Sequence, residues 1–198
     1  MSSTFAALLL YAFVATVTPG PNNLMVLASG VNFGFRRTVP HMLGITFGFA
    51  FMVLTLGLGM AQIFRLYPPL FALLKILGAL YMLWLAWKIA TSGPIGEAGG
   101  TRGAPLGFFG AAMFQWVNPK AWMMGLTAVS TYVMVDGLMF NSLIIAAVFA
   151  VLTMPCVMLW AGFGVGLKHI LDNPQTLRTF NVVMAVLLVL SLWPALKG

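Results

Sequence analysis

Charge is what this sequence has least of. Only 7% of its 198 residues are charged, and only Glu97, Asp136 and Asp172 are acidic. A soluble domain carries about 25% charged and about 45–50% apolar residues, whereas this chain is 61% hydrophobic. So few charges cannot cover a soluble surface, and such hydrophobicity excludes disorder. Cysteine is nearly absent too. Cys156 stands alone, which excludes an internal disulfide, a CxxC redox pair and a cysteine-rich metal site. In its apolar run it reads as a small packing residue. The two histidines, His41 and His169, lie far apart and in no ligand motif. With no acid inside an apolar run, the chain lacks the carboxylates of a cation pore or divalent-metal path. It also lacks a paired-acid or Ser–His hydrolase site. Neither catalysis nor a cofactor or metal is expected. No basic residue precedes Arg36, so the N-terminus does not read as a signal peptide, which needs positive charge before its apolar stretch.

What is present is apolar sequence in long runs. They cover about residues 4–31, 38–63, 69–90, 106–133, 137–167 and 175–193. At roughly 20 apolar residues per span, the composition allows about six membrane helices. Transmembrane β-strands would show alternating segments of about ten residues; these runs are continuous and longer. Helices are the remaining way to satisfy a backbone in lipid. The expected fold is an all-α integral membrane protein with six transmembrane helices in one domain over 1–198. Its halves, about 1–92 and 105–198, are joined by a glycine-rich loop over 93–104. Three spans per half invert the second half against the first, and each half opens on a proline-interrupted helix. That pairing is the sequence signature of a 3+3 inverted repeat with a site between the broken helices.

The net charge of +7 reads as cytoplasmic loops obeying the positive-inside rule; no nucleic acid partner is expected. With Lys120 left out as mid-segment, loops one, three and five and their helix ends hold Arg36, Arg37, Lys88, Arg102, Lys168 and Arg178. The termini and the other loops hold Arg65, Lys75 and Lys197. This bias puts both termini outside.

Two stretches carry the candidate chemistry. In Thr18-Pro19-Gly20-Pro21-Asn22-Asn23, the prolines remove backbone donors and clash with carbonyls four residues back, so the first helix must break. Pro21 suits the first turn of a new helix, whose free amides at Asn22, Asn23 and Leu24 form an anion site. The second stretch is Gln115, Asn118, Pro119 and Lys120. Lys120 sits mid-run, where a charge marks a pathway by default. Its ammonium could reach a carbonyl freed by Pro119. The Gly44–Gly48 spacing and the glycines Gly162, Gly164 and Gly166 are expected to serve close helix packing.

The run Thr18-Pro-Gly-Pro-Asn22-Asn23-Leu-Met-Val26, then Gly34-Phe-Arg-Arg37 and Asn118-Pro-Lys120, resembles the LysE/RhtB family of bacterial amino-acid exporters. Trp84-Leu-Ala-Trp-Lys-Ile-Ala-Thr-Ser92 and Thr127-Ala-Val-Ser-Thr131 look especially like its cysteine/O-acetylserine exporter branch. Many members carry an acid directly after Pro-Gly-Pro; this chain has Asn22. The resemblance implies efflux of a small neutral amino acid or derivative, of cysteine/O-acetylserine or homoserine/threonine type, across the bacterial inner membrane. The expected partners are that substrate and the lipid bilayer, and a homodimer is left open. In this reading the first and fourth helices meet, with Pro19–Asn23 facing Asn118–Lys120. The free amides and the Lys120 ammonium hold the substrate carboxylate, while Asn22, Asn23 and Asn118 orient it. Two rivals stay open: a membrane thiol relay, which would want two facing cysteines, and a non-transporting membrane scaffold or assembly subunit.

Overall fold

The structure is a computed structural model and describes residues 2–92, 104–133, 137–168, 170–171 and 173–193. Most of the glycine-rich stretch (93–103), all three acids, and Arg102, His169 and Lys197 lie outside the described residues.

The described chain is helical throughout. Helix α1 (Ser2–Val17) ends before the Pro-Gly-Pro run, and α2 (Pro21–Phe33) starts on its second proline. The two axes differ by 50°. Gly20 caps α2 in extended backbone and Pro21 fills its first position, where a missing N–H costs nothing. Asn22 and Asn23 therefore sit in the first turn of α2, not in the break itself. Gly34, at φ 80°, ends α2 and turns the chain into α3 (Phe35–Thr55). A π-turn over Leu56–Met60 then leads to α4 (Ala61–Leu66).

Helix α5 spans Pro68–Ala90. After the glycine-rich stretch come α6 (Phe108–Phe114), a 3-10 turn over Gln115–Val117, and α7 (Pro119–Tyr132). Helices α8 (Leu138–Lys168) and α9 (Pro174–Leu190) follow. Among the described residues, three helical stretches are long and apolar enough to cross a membrane: Phe35–Ile63, Ala72–Ala90 and Leu138–Lys168. The bent pair α1–α2 makes a fourth if taken as one span. Phe108–Val117 and Pro174–Leu190 are apolar but shorter.

Close packing falls where the sequence has small residues. A Cβ on Gly30 of α2 would strike the Ala161 carbonyl oxygen, and one on Gly164 of α8 would strike that of Leu27. The two backbones thus touch directly. The Gly44–Gly48 face of α3 does the same with α6, at the Phe108 carbonyl and Ala112. Without a hydrophobic force between helices in lipid, such backbone approach is how van der Waals contact is gained. Gly162 and Gly166, by contrast, face open space. The most extensive contacts pair α2 with α8, α3 with α8, α3 with α6, and α5 with α9. Exposed Leu77, Leu80, Val151, Phe163 and Leu190 give these helices an apolar outer surface.

Candidate functional site

A helix broken inside an apolar protein exposes carbonyls on one side and amides on the other, and each must be accounted for. On the carbonyl side, Ala15 O accepts from the Thr18 hydroxyl at 3.1 Å. The Asn23 side-chain amide donates to Thr16 O and Thr18 O, both at 2.8 Å. Val17 O accepts from the Trp160 indole at 3.1 Å. The Lys120 ammonium reaches over from α7 and donates to Thr18 O at 2.7 Å, the Thr18 hydroxyl at 2.9 Å and Pro19 O at 3.2 Å. Every carbonyl from Ala15 to Pro19 is thereby satisfied, and the negative end of α1 faces a cation.

The amide side differs. Leu24 N already donates to Gly20 O at 3.0 Å. The backbone amides of Asn22 and Asn23 have no acceptor among the described residues. The expected three-amide set is therefore a two-amide set, because the first turn of α2 closes at Leu24. Lys120 also differs from expectation. Its ammonium binds Thr18 O and Pro19 O, which the break leaves without helical donors, and not the carbonyl freed by Pro119. The cause is tertiary, since the end of α1 lies against α7.

The second break is smaller. Asn118 caps α7, its side chain accepting from Lys120 N at 3.1 Å. Gln115, fully buried, donates to Ala111 O at 2.8 Å. It also forms a two-way amide pair with Asn22: Asn22 Nδ2 to Gln115 Oε1 at 2.8 Å, and Gln115 Nε2 to Asn22 Oδ1 at 3.1 Å. The interrupted stretches of the two halves are thus joined by an amide pair and by an ammonium on carbonyls.

Between them lies a cavity of about 30 Å³. At about 10–15 Å³ per water it holds a water or two, so an amino acid enters only when helices move apart. Gly20, Asn22, Asn23, Asn118 and Lys120 are on its wall. First-turn residues of α2 and α7 are thus on it, and Lys120 is the charged group among the described lining residues. Of the other sequence candidates, Thr18, Pro19, Pro21, Gln115 and Pro119 are off the wall. Thr18 and Pro19 hold the Lys120 ammonium, Gln115 holds Asn22, and Pro21 and Pro119 start the two helices. Gly20 makes room for the lysine stem: a Cβ there would lie 2.5 Å from Lys120 Cδ.

Sequence reasoning missed the other residues of the wall, among them Thr16, Ile45, Phe49, Met124, Thr153 and Val157. They lie on α1, α3, α7 and α8 in apolar sequence, and only the isolated hydroxyls of Thr16 and Thr153 were a signal. A second inter-half amide pair was also missed. Asn32 and Asn181 exchange bonds of 2.8 and 3.1 Å at the far end of α2.

A sequence profile described as LysE type translocator matches residues 13–191. The chain is 34% identical over 183 residues to the cysteine/O-acetylserine efflux protein of Salmonella typhimurium strain LT2, covering 90% of each chain. It is 33% identical over 182 residues to the cysteine/O-acetylserine efflux protein of Escherichia coli K12, again with 90% of each covered. No solved structure matches. The profile match spans nearly the whole sequence and both relatives match over 90% of each chain, so the chain belongs to the LysE type translocator family.

Proposed function

We propose that this protein is a transporter, not an enzyme, and that it exports small neutral amino acids or derivatives across the bacterial inner membrane. Cysteine and O-acetylserine lead the candidate substrates, because its relatives are cysteine/O-acetylserine efflux proteins, with homoserine and threonine next. The observation that carries the reading is the asymmetry of the first break. Its carbonyls are all satisfied, while two amides at the start of α2 remain open beside a cavity whose lining charge is Lys120. Donors without acceptors at a positive helix end suit a carboxylate.

In the mechanism we propose, the substrate carboxylate binds the Asn22 and Asn23 amides. It competes with Thr18 O and Pro19 O for the Lys120 ammonium. Asn22, Asn23 and Asn118 orient the bound molecule. Drawing Lys120 from α1 loosens a bond between the halves, and the halves rock about the site. The proposed spans are α1–α2, α3–α4, α5, α6–α7, α8 and α9, as a 3+3 inverted repeat with both termini outside. Its support is the packing pattern. A two-fold relating the halves would match α3 with α8 and α5 with α9, and each of these pairs is in contact. It would also mirror the contacts of the first span on α8 in those of the fourth span on α3, and α1 and α2 pack on α8 as α6 and α7 do on α3.

A dibasic substrate would bring a second cation beside Lys120 with no fixed carboxylate to offset it, and like charges in low dielectric repel strongly. The test is counterflow in proteoliposomes over a panel of amino acids. Cysteine, O-acetylserine, homoserine or threonine should exchange, and lysine and arginine should not. Preference for the dibasic pair, or exchange of none, overturns the reading.

A further inference from the structure

Apart from Thr153, the buried helical threonines described, and half-buried Thr55, return their hydroxyls to their own helix. Thr16 bonds Ala12 O at 2.6 Å, Thr46 bonds Met42 O at 2.9 Å and Thr55 bonds Met52 O at 2.8 Å. That is the ordinary fate of a buried hydroxyl. Thr153 on α8 breaks the pattern. It is 4% exposed, and its hydroxyl has no hydrogen-bond partner. It lies on the cavity wall with Ile45, Phe49, Met124 and Val157, four side chains that can neither donate nor accept strongly. The open α2 amides and Lys120 form the polar end of the same cavity. A buried polar group left unpaired is unfavourable, so a hydroxyl kept there without a partner is a place for one to arrive.

We infer that Thr153 determines which side chain the cavity accepts, by hydrogen-bonding the polar side-chain atom of a short substrate whose carboxylate lies at the start of α2. This rests on the efflux reading above and narrows its substrate class to amino acids bearing a hydroxyl, thiol or ester oxygen near the β or γ carbon. A hydroxyl both donates and accepts, so it serves any of these. The apolar neighbours set the size limit. A site built around such a bond discriminates against analogues lacking the partner atom, whereas a purely apolar pocket does not.

The experiment is competition against counterflow by the full chain in proteoliposomes. L-serine, L-cysteine and L-homoserine are compared with L-alanine and L-2-aminobutyrate, which differ by the polar atom. The original protein should favour the polar set. Thr153→Val, equal in shape, should lower the potency of the polar set by about three- to tenfold, the range of one net neutral hydrogen bond. It should leave the apolar set within about twofold, and Thr153→Ser should restore the preference. If Thr153→Val does not accumulate, Thr153→Ala reads the same ratio without added bulk. Equal loss for both sets, or no change in either, overturns the role of Thr153 while the efflux reading stands. Failure of the original protein to exchange any of these amino acids overturns the efflux reading and this inference with it.

Discussion

Gly20→Ala isolates the contact between the two broken stretches. Gly20 has φ −176° and ψ 178°, extended backbone that alanine adopts without strain, so the whole effect is steric. The new methyl would lie 2.5 Å from Lys120 Cδ, 3.0 Å from Nζ and 3.3 Å from Cε. Carbon atoms settle at about 3.5–4.0 Å, so the lysine stem must retreat by about 1 Å. The ammonium bonds at 2.7, 2.9 and 3.2 Å cannot all survive that shift. A hydrogen bond to a charged group contributes about 1.5–3 kcal/mol. Losing one outright and weakening another costs about 2–4 kcal/mol, less whatever the flexible stem recovers. Purified Gly20→Ala should therefore show a clearly lower Tm in detergent, and its counterflow rate should fall by at least about tenfold. The decisive comparison is a double-mutant cycle with Lys120→Ala. The three atoms nearest the new methyl all belong to Lys120, so with the lysine stem gone Gly20→Ala should be nearly neutral. Equal damage with and without Lys120 would refute the reasoning.

Replacing Pro19, Gly20 and Pro21 together by alanine should let α1 run into α2, with membrane abundance near normal on immunoblots and counterflow lost; normal counterflow would reduce the motif to a packing kink. Gly30→Ala should cost about 1–3 kcal/mol as overpacking, because its methyl strikes the Ala161 carbonyl, while Gly162→Ala, in open space, should leave Tm unchanged. Gln115→Leu strands Asn22 and should cost about 1–3 kcal/mol; the pair Asn22→Leu with Gln115→Leu should recover part of that in thermal melts, with transport still lost.

The helical class was legible in the composition, because continuous apolar runs leave a backbone no other partner than itself. The positions of the breaks were legible as well. Proline acts on its own backbone and needs no tertiary context to end α1 or to start α2 and α7. The Gly44–Gly48 face of α3 was readable as a close contact from spacing, though its partner was not; of the three α8 glycines expected to pack closely only Gly164 does so, while Gly162 and Gly166 face open space. Sequence spacing could not say that Lys120 would bind the carbonyls of Thr18 and Pro19, 102 and 101 residues away. Nor could it pair Asn22 with Gln115 across 93 residues. Those bonds exist because the end of α1 is folded against α7. Thr153 is the sharpest case. Its sequence neighbourhood is that of any threonine in an apolar helix. Only the convergence of α3, α7 and α8 decided that Thr153 would stand on the cavity wall with a buried hydroxyl that has no partner.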